Sequence, residues 1–501
     1  MALSAHHMQQ AAHPSALRLE PWARQWAAGA LGLVGLALLL HRLPLLAAAA
    51  LALGGVFALA TLARPWLALL VLPWVVPFGS LVEFPLGIMT VGATELAILW
   101  AVAVWMLSFC LHRDRRLLWP SLTLPFWLFA GATLLSLTQS LSLQHSLKEL
   151  LRWAELFLAM LLVRNTLGQG PRPKWLPQAL VGSLLAAGAL SAIQGIVQFL
   201  GRIGPPGFLL FGRFMRAYGT FQQPNPYGGY LGLTLPLAFA LLLAIRARPF
   251  RAPLGRLAAL PAAALVGSAL LMTWSRGAWV GAAGLSAVAI LRNRRAALAF
   301  GGVAVVVALL VVLGAAGVMP PAITQRFAGL GDYFGIRDVR GIPPTDANWA
   351  VLERLAHWQA AWAMVSDHPW LGVGPGNYVA VYPAYALPFW RDPLGHAHNI
   401  YLNVAAEMGL VGLGAYLLFW IWAFVALWRG LRRAAGLRQA ILLGAIGALV
   451  HLHVHNFFDN LYVHGMPIQL GVLLGLALWA GCSTSEAGPQ GSCSLTGQGD
   501  S

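Results

Sequence analysis

The run Gly395-His396-Ala397-His398-Asn399-Ile400-Tyr401-Leu402-Asn403 sets two imidazoles and two amides directly before a long apolar stretch. Histidine titrates near neutrality, and in its neutral form it can take a proton from a hydroxyl. Held at a membrane surface, such a pair suits chemistry on a lipid-linked substrate. Two other stretches carry the complementary charge. Arg213 and Arg216 lie in Arg213-Phe214-Met215-Arg216-Ala217-Tyr218-Gly219-Thr220-Phe221-Gln222-Gln223-Pro224-Asn225, and Arg276 lies in Thr273-Trp274-Ser275-Arg276-Gly277. The planar arginine fork matches phosphate oxygens. A base together with arginines can move a group from a phosphate leaving group to a hydroxyl. Metal enzymes stabilise the same leaving group with a divalent ion held by carboxylates. Here Asp and Glu number only 16 and no Asp-x-Asp accompanies the histidines, so no metal and no cofactor is expected.

These residues must be positioned by membrane helices. The chain is 59% hydrophobic and 10% charged, whereas soluble domains carry about 25% charged residues. So few charges cannot cover a water-exposed surface of this size. Bilayer crossings need runs of roughly 17–25 residues. Such runs are expected at about 25–41, 44–62, 66–82, 90–111, 122–138, 148–165, 177–200, 227–245, 257–274, 277–291, 297–316, 399–428, 438–456 and 463–480. Merging the first hairpin would leave twelve spans in place of fourteen. The expected fold is therefore all-α and polytopic with 12–14 transmembrane helices. It has a cytoplasmic lead-in at 1–24, helices within 25–316, a long extracytoplasmic segment at 317–397, helices within 398–480, and a disordered cytoplasmic tail at 481–501. The lead-in shows no cleavage site of a secretory signal.

The net charge of +16 is explained by membrane anchoring and does not call for nucleic acid. Most Lys and Arg residues fall in connections that an inside N-terminus makes cytoplasmic, as the positive-inside rule asks. Arg213, Arg216 and Arg276 disobey it and share the outer side with His398, which raises the case for one anion site. Cys110, Cys482 and Cys493 form no metal or disulfide pattern.

Other polar residues have competing readings. Lys148, Arg152 and Glu155 share one helix face by their spacing, either as an interfacial anchor or as part of the site. Residues 350–367 have the period of an amphipathic helix, which includes Arg354. After it, Gly372-Val373-Gly374-Pro375-Gly376 reads as a tight turn, with a backbone anion nest as the alternative. Glu407 is nine residues from His398, about 180° around a helix, so it cannot orient that imidazole. His396 is an alternative base. His451, His453, His455 and His464, with Asp459, read as an outer polar cap, an acceptor contact or a metal site; His451 and His455 share a face.

Four blocks together carry a family resemblance: Arg216-Ala217-Tyr218-Gly219-Thr220-Phe221 through Asn225; Ser275-Arg276-Gly277; Arg354 through Trp370-Leu371-Gly372-Val373-Gly374; and His398-Asn399 through Glu407-Met408-Gly409-Leu410-Val411-Gly412. In this order, within a polytopic chain, they resemble the O-antigen ligase and Wzy-type polymerase family of bacterial envelope glycosyltransferases. The resemblance covers roughly residues 210–425. It implies a GT-C-like fold in the bacterial inner membrane, with both termini cytoplasmic and the site on the outer face. It implies an undecaprenyl-diphosphate-linked glycan as donor and metal-independent, inverting transfer. The acceptor would be lipid A core, a second glycan, or a protein. His398 would be the catalytic base and Arg216 and Arg276 would bind the diphosphate. Arg213 lies beside that motif, and Lys148, Arg152, Glu155, Arg354, His396 and Asn399 are candidates for support. A transporter of lipid-linked glycans or of a small anion is the reading of another class; such proteins often show paired, interrupted helices in repeated halves, and no convincing internal repeat is found here.

Overall fold

A computed structural model describes residues 45–86, 89–112, 115–170, 172–210, 212–244, 253–292, 338–345 and 348–482. The expected spans at 25–41 and 297–316, the lead-in at 1–24, residues 317–337 of the long segment and the tail beyond 482 lie outside the described residues. The chain divides into two compact units, residues 1–64 and 65–501. The first contributes one apolar helix, α1 (Leu45–Ala63), on the expected span 44–62. Everything below concerns the second.

That unit is built from helices α2 (Leu67–Phe78), α3 (Ala93–Leu111), α4 (Thr123–Ser136), α5 (Leu143–Gly168), α6 (Leu176–Gly201), α7 (Pro224–Ala244), α8 (Pro253–Met272), α9 (Arg276–Gly281), α10 (Ala283–Arg292), α11 (Trp349–Asp367), α12 (Tyr378–Tyr385), α13 (Ile400–Leu431), α14 (Gly436–His455) and α15 (Met466–Gly481). Each remaining expected span thus carries a helix. The run at 277–291, expected as one helix, is divided at Ala282 into α9 and α10. A two-stranded hairpin, Glu83–Leu86 with Met89–Gly92, precedes α3, which therefore starts at Ala93 and not at 90.

Among the described residues five helices are long and apolar enough to cross a membrane: α3, α6, most of α7, α13 and α14. Shorter apolar helices lie within α1, α2, α8 and α15. Helix α2 is short and contains Pro73 and Pro77; proline removes a helix hydrogen bond and clashes with the preceding turn. Helix α5 has the length but carries Lys148, Glu149, Arg152, Glu155 and Arg164. The protein is an all-α polytopic membrane protein.

Helix α14 packs against α7 and α10, and α15 packs against α5. The α15–α5 approach depends on Gly471 and Gly475. A Cβ there would stand 2.3 Å from the Leu156 carbonyl oxygen and 2.7 Å from that of Met160. Small residues four apart let two membrane helices meet backbone to backbone.

The 338–399 segment closes one end of the bundle. The turn after α11 is fastened to α13 by main-chain hydrogen bonds: Val373 N–H to Ala406 O (2.9 Å), Gly374 N–H to Glu407 O (2.8 Å) and Leu410 N–H to Pro369 O (2.8 Å). Gly409 leaves the helical conformation here, with φ 64°. A Cβ on it would lie 2.2 Å from the Trp370 carbonyl, and one on Gly372 would lie 2.4 Å from that of Glu407. Two of the four sequence blocks are thus halves of one backbone joint.

Candidate active site

The starts of α5, α7, α9 and α13 and the ends of α6, α8 and α14 meet at the end closed by the 338–399 segment. Main-chain bonds fix the meeting: Ala217 N–H to Met272 O (2.9 Å), and Ile400 N–H to Asn456 O (2.9 Å). The second bond brings the histidine motif against the turn after α14, almost sixty residues further along the chain.

The loop bearing Arg216 is pinned by Gln198 of α6, which donates to Gly219 O (2.8 Å) and accepts from Gly219 N–H (2.8 Å). The Arg216 guanidinium donates to Thr273 O (2.8 Å) and to Asn225 Oδ1 (2.9 Å). Ser275 caps α9 by accepting from Ala278 N–H, which sets Arg276 at the first helical position. Gly277 lies under the His455 ring; a Cβ there would be 2.5 Å from its Cδ2. Arg354 of α11 donates to Phe458 O (3.2 Å) and to Ala350 O in its own helix (2.7 Å). It thereby fixes the turn that carries Asp459.

Arg216, Arg276, Arg354, His455, Asn225 and Asp459 line one cavity of about 80 Å³. Asp459 forms its wall towards the histidines. Its Oδ1 lies 3.6 Å from His396 Nε2 and 3.8 Å from His398 Nδ1, and all three side chains are at most 17% exposed. At these distances the contacts are electrostatic and not hydrogen bonds.

Local bonds select the tautomers. His396 Nδ1 accepts from His398 N–H (3.0 Å), so the neutral ring carries its proton on Nε2, facing Asp459. The Asp459 carboxylate favours a proton on His398 Nδ1, which leaves Nε2 as the basic nitrogen. Neither ring nitrogen of His398 has a hydrogen-bond partner. His398 has φ 52°, a left-handed conformation that costs a non-glycine residue energy. Asn399 caps α13 by accepting from Tyr401 and Leu402 N–H, and Asn403 Oδ1 accepts from Ala397 N–H. The strained residue is thus clamped on both sides.

Burial lowers the His396 imidazole to about 3, helped by the neighbouring His398 and opposed by Asp459. It lowers His357 of α11 to about 3 as well, with His398 and Arg354 adding to the effect. Both rings are neutral at physiological pH. Burial alone would raise the Asp459 carboxyl. The contact with His398 and the imidazoles of His396 and His455 outweigh it and hold the group well below the usual carboxylate range. The His357 ring stands edge-on to His398 at 5.5 Å and its Nδ1 is bonded to the Tyr378 hydroxyl (2.9 Å).

Residues 261–417 match the family model described as O-antigen ligase. That stretch of the chain is similar to an O-antigen ligase domain. No curated protein matches it. The matched stretch holds Arg276, Arg354, His396, His398 and Glu407 and stops short of Asp459; Arg216 precedes it. The match supports a ligase- or polymerase-like membrane glycosyltransferase activity, a family that implies lipid-linked glycan and acceptor substrates.

Not all sequence candidates meet at the cavity. Arg213 is exposed and its guanidinium lies over the Phe214 ring, 5.4 Å from the centroid. Lys148, Arg152 and Glu155 share a face, as their spacing requires, but line a different cavity. Arg152 pairs there with Glu149, not with Glu155. Glu407 is not a partner of His398: its carboxylate accepts from Gly376 N–H (2.9 Å) and Tyr378 N–H (3.1 Å). The glycine stretch is a tight turn: its Val373 and Gly374 N–H groups bond the α13 main chain and its Gly376 N–H bonds the Glu407 side chain. The His451–His455 run divides by face, as its spacing dictates. His453 faces Tyr401 and Trp420 of α13, while His451 and His455 face α7 and α9.

Sequence reasoning grouped Asp459 with the second histidine cluster and not with His398, and it passed over Gln198. Asp459 was visible only as one of few acids, set in a histidine-rich stretch. His396, His398 and Asp459 each place one potential ligand atom within 4.8 Å of the others. In the tautomer described, His396 presents N–H and not a lone pair to that point.

Proposed function

We propose that this protein transfers a glycan from a polyprenyl diphosphate, undecaprenyl diphosphate in a bacterial inner membrane, to an acceptor hydroxyl. The convergence of three arginines on a cavity walled by the Asp459 carboxylate, with His398 behind it, carries this reading. The cavity lies on the outer face, with both termini cytoplasmic.

Arg216, Arg276 and Arg354 bind the diphosphate. His398 Nε2 takes the proton of the acceptor hydroxyl as its oxygen attacks the anomeric carbon. The C–O bond to the diphosphate breaks, and its electron pair leaves with the carrier. Attack opposite the leaving group inverts the anomeric centre. The negative charge that grows on the diphosphate meets arginines already fixed by Thr273, Asn225 and Phe458, so little reorganisation is needed. No divalent ion is required, because the guanidinium groups supply the positive charge. His396 Nε2–H and the Asp459 carboxylate keep His398 in the correct tautomer; Asp459 also steadies the imidazolium that forms.

The acceptor is lipid A core in a ligase, a second lipid-linked glycan in a polymerase, or a protein hydroxyl. The test uses purified protein in detergent with donor and acceptor. His398→Ala should abolish transfer while binding of the labelled donor persists. Unchanged transfer would remove His398 as the base, and movement of intact donor across a vesicle without transfer would favour a transporter.

A further inference from the structure

The end of the bundle away from the arginine cavity gathers a second set of cations. The end of α5, the turn after it, the start of α14 and the end of α15 meet there. Arg164 of α5 is only 7% exposed, and among the described residues its hydrogen bond goes to Cys482 Sγ (3.4 Å). Arg438 of α14 donates to the Cys482 carbonyl. The guanidinium carbons of Arg438 and Arg172 lie 4.7 and 5.9 Å from the centroid of one ring, that of Trp479. Arg115 lies against the same turn: a Cβ on Gly170 would stand 3.3 Å from its Cζ.

Nothing of opposite sign is built in beside them. Among the described residues no carboxylate pairs with Arg115, Arg164, Arg172 or Arg438. The sequence holds no Asp or Glu at all from 156 to 331 or from 408 to 458. Buried cations are as a rule paired, and a thiol is only a weak acceptor for Arg164. Burial and the neighbouring Arg438 hold the Arg172 guanidinium below its ordinary range, so these two cations repel each other. The Trp479 ring attracts each of them, but it neutralises neither.

We propose that this cluster binds a phosphate ester, and that the ester is the head group of an anionic phospholipid. Guanidinium forks match phosphate oxygens. The cluster sits at the ends of membrane helices beside an indole, where head groups lie, and basic pockets between such helices hold anionic lipid heads. A phosphate shared by Arg172 and Arg438 cancels their repulsion and ties the turn after α5 to the start of α14 and the end of α15. The site lies at the other end of α5 and α14 from His398, so its occupant braces the α5–α15 pair and takes no part in transfer.

The test melts the purified full chain in a neutral detergent with phosphatidylglycerol, phosphatidylcholine or inorganic phosphate added. Phosphatidylglycerol should raise the melting temperature by about 3 °C or more, and phosphatidylcholine by less than about 1 °C. Arg172→Gln combined with Arg438→Gln should lose the shift. Arg432→Gln combined with Arg433→Gln removes the same charge from exposed positions in the connection before α14 and should keep it. A shift with inorganic phosphate as large as that with phosphatidylglycerol would support the phosphate site and make a soluble ester its source. Equal shifts with the two lipids, read on the parent alone, would overturn the site, and so would an equal loss of shift in the two double variants.

Discussion

Asp459 and Glu407 are both buried carboxylates at the same end of the bundle, yet their surroundings put them to opposite uses. Glu407 has both oxygens taken by main-chain N–H groups of Gly376 and Tyr378. Its own carbonyl accepts from Gly374 N–H and from Ser136 Oγ. Nothing of it is left for a substrate. Asp459 faces His396 and His398 on one side and a cavity lined by Arg216, Arg276 and Arg354 on the other. A carboxylate consumed by backbone holds architecture; one met by titratable and cationic side chains beside open space can do chemistry. The two families of motif in the sequence divide along the same line, with Glu-Met-Gly and Trp-Leu-Gly-Val-Gly building a joint and the arginines and histidines building a site.

The sharpest break of this comparison is the pair Asp459→Asn and Glu407→Gln. Asp459→Asn keeps the shape but removes the charge that orients His398, so transfer should fall by about 10²–10⁴, the range of a misplaced general base. Donor binding and the melting temperature should change little. Transfer within about threefold of the parent would show that Asp459 is as architectural as Glu407.

Glu407→Gln should act the other way. An amide presents one acceptor where two backbone N–H groups need one each, and a buried donor left without a partner costs about 1–3 kcal/mol. The expected result is a lower melting temperature and lower yield, with the surviving protein close to parental turnover. A variant as stable as the parent but catalytically dead would place Glu407 in the reaction.

A smaller effect comes from pH. His357 and His396 are held to about 3 by burial, below the ordinary histidine value of about 6.5. The unfolded chain therefore binds more protons than the folded one between these limits. Their stabilising effect is complete above about pH 6.5 and is lost progressively as pH falls towards 3. Asp459, also lowered, adds to the loss in more acid solution. Replacing His357 with Phe should reduce the slope of stability against pH between 6.5 and 5, by at most about 1.4 kcal/mol per pH unit. An identical slope, read from melting curves in one detergent, would mean that His357 is not kept neutral by the fold.

Helix positions were legible because long apolar runs leave few alternatives in a bilayer. The division of the 277–291 run into α9 and α10 was not, since its small and apolar residues show no break. Arg216 and Arg276 stood out because the positive-inside rule left them unexplained, and the geometry brings both to one cavity. The 180° argument placed Glu407 away from His398, and the structure agrees. Asp459 was hidden for a physical reason: its relation to His398 passes through one bond, Ile400 N–H to Asn456 O, between two helix ends. No local spacing encodes it. Charge alone also misdirected one reading, because an arginine next to a motif looks the same in sequence as one inside it.

Arg213 is that residue, and it gives the finest test of the contrast between cavity and surround. Its guanidinium is exposed over Phe214 and outside the lining of the arginine cavity. An exposed cation over an aromatic ring contributes about 0.5–1 kcal/mol, and screening by salt limits what it adds to binding at a distance. Arg213→Ala should therefore leave donor affinity and transfer within about twofold at physiological ionic strength. Arg276→Ala should weaken donor binding about tenfold or more, the loss expected for a charge-assisted bond of 1.5–3 kcal/mol. Equal losses for the two arginines would mean that the diphosphate lies further out along the 213–216 loop than the cavity wall suggests.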